Sequence, residues 1–210
     1  MRGTDAAMHS GTQRRLLDGP FYFMRHGEST TNADSLVAGL LDAHLTETGH
    51  HQAAIAAEAF HGIDLAGVVV TGLYRTHQTA MPILRQKGLA PFVEPGLNER
   101  DWGALEGRSL SERPSTFYDP PGGETWEDFT DRIWRTAQNL VVPVPTLVVA
   151  HSGTFRALLC GMGFGKVRPP VHNAMPVRFE PLDPPPSDGG PAWTVLHMDG
   201  SPVPIKPPKE

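Results

Sequence analysis

Short apolar runs alternate with helix-period patterns along the chain, the rhythm of β-α units feeding a mostly parallel sheet. The run FYFM at 21–24 predicts a first strand. After a polar loop, Thr46 is placed to cap a helix reaching Phe60, with Ala53, Ile55, Ala56, Ala59 and Phe60 as its apolar face. GVVVT at 67–71 reads as a second strand, buried on both faces because its apolar residues are continuous rather than alternating. A helix follows from Tyr74, and Pro82 is expected to bend or end it. Thr125 caps the clearest helix, on which Trp126, Phe129, Ile133, Trp134, Ala137 and Leu140 recur at helical spacing. TLVVA at 146–150 is a third buried strand, with a helix opening near Gly153. Residues 176–180 and 193–198 are expected to pair antiparallel at the sheet edge, across a proline loop. The predicted architecture is an α/β fold: a three-layer α/β/α sandwich with a mostly parallel central sheet and an antiparallel edge strand.

Glycine and proline, 22 and 21 of 210 residues, sharpen the boundaries. DPPGG at 119–123 and DPPPSDGGP at 183–191 read as connecting loops. Residues 1–20 read as a flexible leader and 201–210 as a flexible proline-rich tail, leaving a single domain over 21–200. The leader lacks the apolar block of about 7 to 15 residues that marks a secretory signal. No run approaches the roughly 20 apolar residues of a membrane span. With 18 basic against 23 acidic residues the formal charge is -5, the wrong sign for neutralising a phosphate backbone, so nucleic acid is disfavoured as a partner. The lone cysteine, Cys160, cannot make an internal disulfide, which fits a reducing, cytoplasmic setting. A homodimer is left open, since the strand near Trp193 is an edge that either pairs or stays free.

The charges that matter follow the strands. Arg25 and His26 come directly after the first, His151 directly after the third, and Arg75 just past the second. In open α/β sheets ligands bind beyond the carboxyl ends of parallel strands, where the following helix offers free N–H groups and partial positive charge. Two histidines and two arginines converging there make a small, strongly positive pocket on an acidic protein. A phosphate is its natural guest.

These residues also sit inside longer motifs. Arg25-His26-Gly27-Glu28 resembles the RHGE signature of the histidine phosphatase superfamily, the phosphoglycerate mutase-like proteins, with Ser29, Asn32, Gly39 and Asp42 at the usual spacing. Thr46, Gly49 and Gln52-Ala53 resemble its LTxxGxxQA helix start, and Arg75 with Thr79-Ala80 its RAxQTA block. Leu97-Asn98-Glu99 with Gly103 and Gly107 resembles its LxExxxGxxxG block, and His151, Gly153 and Arg156 its HGxxxR block. Five blocks in one order, over residues 21–180, carry the resemblance.

The resemblance implies phosphoryl transfer through a phosphohistidine. His26 is then the nucleophile, while Arg25, Arg75 and His151 hold the equatorial phosphoryl oxygens. Glu99 is the general acid that protonates the leaving oxygen and then the base that activates water. By the same resemblance Asn32 and Ser29 add neutral hydrogen bonds to the phosphate or its bearer, and Gly39 and Ser152 complete the substrate site. No metal and no cofactor is called for, because the arginines supply the charge.

Other readings stand beside these. Glu106 and Glu94 are close enough in sequence to exchange roles with Glu99, and Glu28 reads as a loop tie as readily as a site residue. Arg156 is read as structural. His50 and His51 lie on a polar helix face with no carboxylate or third histidine at ligand spacing, and are read as solvated. LNERDWGALEG at 97–107 is very like the mutase version of its block. The mutases, however, carry a long insertion after it, with a lysine and an arginine pair that clamp a carboxylate; here the lysine position reads Leu110 and only residues 108–123 intervene. A shorter lid leaves a phosphohistidine open to water, which favours hydrolysis of a small phosphomonoester. Mutase-type transfer and a non-catalytic phospho-ligand-binding protein are the alternatives. Arg108 and Arg113 remain to grip an acidic substrate, and Trp102, Phe117 and Tyr118 to give the pocket an apolar wall.

Overall fold

The computed structural model describes residues 12–205. In chain order it forms β1 (Gln13–Arg15), β2 (Phe21–Arg25), α1 (Thr30–Ala33), α2 (Glu47–Glu58), β3 (Gly67–Val70), α3 (Tyr74–Lys87) and β4 (Phe92–Val93). There follow α4 (Trp126–Asn139), β5 (Val141–Pro143), β6 (Thr146–Ala150), α5 (Ser152–Leu159), β7 (Pro176–Pro181) and β8 (Trp193–His197). Six strands build the main sheet in the order β4-β3-β6-β2-β7-β8. The first four are mutually parallel, while β7 and β8 run antiparallel, as the sequence predicts.

Every residue of β3 and β6 is buried, and their alternation divides the core into two halves. Leu147 and Val149 of β6 face one way and pack with Ala56, Phe60, Ala80 and Ile83 of the α2–α3 layer. Val148 and Ala150 face the other way and meet Phe129, Ile133, Phe155 and Leu158 of the α4–α5 layer. The result is the three-layer sandwich.

Three expectations require correction. On α2 the buried face is Gly49, Ala53, Ala56 and Ala57, whereas Ile55 is 59% exposed and Ala59 is exposed. Ile55 stands two residues from Ala53, about 200° around the helix and so on its outer side. Pro82 does not end α3: the helix runs on to Lys87, because Ile83 and Leu84 are held in the core and Gly88, at φ 65°, supplies the left-handed cap. The flanks, finally, are less loose than their composition implies. Gln13–Arg15 pairs antiparallel with Val141–Pro143, Leu16 is 1% exposed, and Val203 packs into the core while its N–H donates to the Val195 carbonyl at 2.8 Å. The folded unit thus extends beyond 21–200 on both sides, and the outer parts of the expected leader and tail, residues 1–11 and 206–210, lie outside the described residues.

Candidate active site

The register of two strands builds the centre of the site. In β2 and β6 Arg25 lies opposite Ala150, and the His26 N–H donates to the Ala150 carbonyl at 2.9 Å, so both strands end side by side. The residue after each end is a histidine. His26 and His151 meet with ring centroids 5.4 Å apart, and both are buried. His26 Nδ1 lies 2.7 Å from the Gly27 carbonyl, which can only accept, so Nδ1 carries the proton and Nε2 keeps its lone pair. Burial first, then Arg75 and Arg25, push the His26 pKa well below its ordinary value, which keeps the ring neutral. Burial followed by Arg75 and His26 does the same to His151.

The turn carrying His26 is packed backbone against backbone. A Cβ on Gly27 would sit 2.6 Å from the Gly49 carbonyl oxygen, and one on Gly49 would strike the Glu28 carbonyl. Two motifs distant in sequence therefore keep their glycines because they touch. The Gly27 N–H donates to Thr79 Oγ1 at 2.9 Å, and Glu28 Oε1 accepts from the Thr46 hydroxyl at 2.7 Å. Glu28 is a loop tie.

Arg25, Arg75 and Asn32 line a cavity of about 210 Å³ that reaches His26. The Arg75 guanidinium is fully buried and donates to the carbonyls of Leu41 at 2.7 Å and Gly39 at 2.8 Å, which fixes both the arginine and the loop beneath it. Burial, the largest influence, pulls its pKa down to about 10. Arg25 donates to the Val171 carbonyl at 2.9 Å and reaches Asn32 Oδ1 at 3.4 Å. Gly39 and Ser152 also line the cavity. Ser29 does not: it is fully buried, caps α1, and shares a hydrogen bond with Thr31 Oγ1 at 3.0 Å, so its hydroxyl is spent on the turn rather than offered to a ligand.

Glu99 is the glutamate in the cavity wall. Its carboxylate accepts from the Arg100 N–H at 2.8 Å and the Gly153 N–H at 2.9 Å, and a Cβ on Gly153 would collide with it. The two candidates for exchange are engaged elsewhere. Glu106 Oε1 accepts from the N–H groups of Leu40 and Trp102 at 2.7 and 3.1 Å, and Glu94 caps the turn Pro95–Leu97 through the Gly96 N–H at 2.8 Å. His50 and His51 are exposed on α2, and no cluster of three or more His, Cys, Asp or Glu able to hold a metal occurs among the described residues.

Thr71, Asn173 and Arg132 are not among the site residues read from the sequence. Thr71 Oγ1 lies 2.9 Å from His151 Nε2, and it also accepts from the Leu73 N–H at 3.2 Å. Its signal in the sequence is position, the end of the buried GVVVT run. Asn173 donates to the His26 carbonyl at 2.9 Å and to Asn32 Oδ1 at 3.1 Å, a contact 147 residues from His26 that no local pattern announces. Arg132 of α4 pairs with Glu124 at 2.7 Å and reaches the carbonyls of Gly96, Asn98 and Glu99, pinning the Glu99 segment from behind. Arg156, read as structural, lines the cavity beside Ser152. The signal for Arg156 is its i+4 spacing from Ser152 on α5.

A model of the histidine phosphatase superfamily, branch 1, matches residues 21–174. The chain belongs to this superfamily. Within it, the 2,3-bisphosphoglycerate-dependent phosphoglycerate mutase of Brucella melitensis biotype 1 is 33% identical over 162 residues, covering 66% of this chain and 79% of that protein. A protein of Photorhabdus laumondii named as a phosphoglycerate mutase is 32% identical over 146 residues, 62% of this chain and 68% of its own. Among solved structures, TTHB049 of Thermus thermophilus superposes with a TM-score of 0.63 at 26% identity, covering 76% of this chain and 92% of that one. A mycobacterial glucosyl-3-phosphoglycerate phosphatase shares the fold at a TM-score of 0.66 and 23% identity, covering 84% and 97%. The histidine phosphatase superfamily thus brings both mutases and phosphatases to the comparison.

Proposed function

We propose that the protein is a metal-independent phosphomonoester hydrolase that works through a phosphohistidine on a small phosphorylated metabolite. The observation that carries this reading is His26: a buried, neutral imidazole whose Nδ1–H is committed to the Gly27 carbonyl, leaving the Nε2 lone pair for phosphorus. In the first step Nε2 attacks the phosphorus in line and the bond to the leaving oxygen breaks. Glu99, as the carboxylic acid, gives that oxygen its proton. Arg25 and Arg75 face the equatorial oxygens, over which charge spreads in a loose transition state, and His151, held by Thr71, supports them. In the second step Glu99, now the carboxylate, takes a proton from water, whose oxygen attacks the phosphoryl group and restores free His26.

Mutase-type transfer is the second reading, favoured by the names of the Brucella and Photorhabdus relatives. What favours hydrolysis is the segment over the site. It consists of short turns such as Gly103–Leu105 and Leu110–Glu112, and Leu110 and Tyr118 on it are exposed, so little shields a phosphohistidine from water.

The test is phosphate release from a panel of phosphomonoesters in EDTA, for wild type and His26→Gln, with 3-phosphoglycerate assayed for isomerisation in parallel. Release that survives EDTA and falls by at least about 10³-fold in the variant is the expected result. Isomerisation without release overturns hydrolysis in favour of transfer, and inactivity on the whole panel overturns both.

A further inference from the structure

The turn that carries His26 is gripped by a short segment from the far end of the chain. Ahead of β7, Val171, Asn173 and Ala174 all bond to Arg25 or His26. Arg25 Nη1 donates to the Val171 carbonyl at 2.9 Å, and the Ala174 N–H donates to the Arg25 carbonyl at 3.0 Å. Between them the Asn173 amide nitrogen uses both of its protons, one on the His26 carbonyl at 2.9 Å and one on Asn32 Oδ1 at 3.1 Å. Ala174 takes φ 50°, the left-handed region that a residue with a Cβ rarely adopts, and such strain persists only where the surroundings enforce it.

These contacts fix which way round two amides lie. A backbone carbonyl only accepts, so the His26 carbonyl requires the nitrogen of Asn173, and that nitrogen in turn requires the oxygen of Asn32. The other groups near Asn32 Oδ1 are donors as well, Arg25 Nη2 and the Ser29 N–H, each at 3.4 Å, the outer limit of a hydrogen bond. Among the described residues every hydrogen bond of the Asn32 side chain falls on its oxygen. Asn32 lines the cavity, so its NH2 group is left for a ligand there. Two N–H donors suit an anion, whereas the reversed amide would turn a lone pair towards it.

We propose that Asn173 is a positioning residue: anchored on the His26 carbonyl, it holds the Asn32 amide with its NH2 group towards the phosphoryl oxygens. The proposal rests on the hydrolytic reading above and concerns how that same site is kept in register. Asn173 does not itself line the cavity, so its effect passes through Asn32. Asn173→Asp is the sharpest probe, because a carboxylate of the same shape accepts and cannot donate. It draws the Asn32 NH2 group to itself and leaves Oδ1 facing the anion. Asn173→Ala only releases the amide, which Arg25 and the Ser29 N–H still bias the right way through their longer bonds.

The experiment is a double-mutant cycle between the two positions. It is read as the Kd of orthovanadate by calorimetry and as kcat/KM for p-nitrophenyl phosphate, with melting curves to establish that each variant folds. With Asn32 present, Asn173→Asp should weaken both by about 10- to 100-fold, and Asn173→Ala by about 3- to 10-fold. With Asn32→Ala already in place, either change should cost less than about threefold. Direct repulsion of the anion by the new carboxylate is common to both backgrounds and cancels in the cycle. Losses of equal size in both backgrounds overturn the positioning role and leave hydrolysis intact. A second reading needs no variant at all. In 1H–15N spectra of the wild-type protein the Asn32 NH2 signals should move on adding orthovanadate, while the Asn173 NH2 protons stay protected from exchange. An Asn32 NH2 group that does not respond overturns the proposal. Orthovanadate binding without turnover of any phosphomonoester overturns the hydrolytic reading and leaves the role of Asn173 standing, whereas a protein that neither binds the anion nor turns over loses both.

Discussion

The two ends of the cavity are built in different ways. At the phosphate end, His26 and His151 issue from paired parallel strands, Arg75 from the first turn of a helix, and each is buried and held by named partners. At the leaving-group end, Trp102, Leu110 and Arg113 come from short turns, with Leu110 39% exposed. A strand terminus fixes a side chain through the whole sheet, whereas a short turn fixes it only through its neighbours. On the proposed function, the difference separates what must be constant, the geometry around phosphorus, from what sets the choice of substrate. Damage at the phosphate end should therefore slow every substrate alike, and damage at the other end should depend on what is leaving.

Glu99 tests that division most strongly, because it stands between the two ends. Glu99→Gln removes the transferable proton while keeping an oxygen for one of the two backbone N–H groups that the carboxylate now accepts. Turnover of an alkyl phosphate should fall by about 10²- to 10⁴-fold, since an alkoxide is a poor leaving group without a proton. For p-nitrophenyl phosphate, whose leaving group needs none, the burst of nitrophenol from the first step should be nearly preserved. Stopped-flow comparison of the two substrates reads the difference, and an equal loss on both would reassign Glu99 to positioning.

Arg75→Lys comes next in size. Lysine keeps a charge but cannot span the carbonyls of Gly39 and Leu41 while also facing phosphate. A loss of about 10²- to 10³-fold in kcat is expected, uniform across alkyl and aryl substrates. A loss confined to one class would show that the phosphate end also sorts leaving groups.

The same contrast explains what can be read from sequence. GVVVT and TLVVA announce themselves as buried strands because continuous β-branched runs have few other uses, and the residues just beyond them fall at the site because parallel strands share their carboxyl ends. Asn173 and Arg132 escape because they act across the fold, at separations of 147 and 33 residues from the His26 and Glu99 carbonyls they bond. Ser29 misleads because a hydroxyl suited to phosphate is equally suited to capping a turn. The strand Gln13–Arg15 reads as loose leader because Gln-Arg-Arg has no apolar alternation; its order comes from pairing with Val141–Pro143 and from the Leu16 anchor.

The smallest predicted effect concerns stability, and it too should separate the two ends. His26 and His151 are held neutral in the folded chain, with pKa values well below 6.5 owing first to burial. In the unfolded chain each takes up a proton near 6.5. Below that pH the unfolded state binds more protons, so stability falls as pH drops, and above about 7 neither histidine contributes. Each should lower stability between pH 7.5 and 5.5, by at most about 1.4 kcal/mol, the limit for a ring that stays neutral in the folded chain throughout. His151→Gln, which can keep a hydrogen bond to Thr71, should therefore lose less stability than wild type over that interval, by up to about 1.4 kcal/mol, measured by urea unfolding at both pH values. Arg113→Met, which removes a cation at the other end without a titration in this window, should follow the wild-type slope. If His151→Gln also follows it, the imidazole gains its proton in the folded state as readily as in the unfolded one, and the neutral, preorganised phosphate end is wrong in its electrostatics even where its geometry is right.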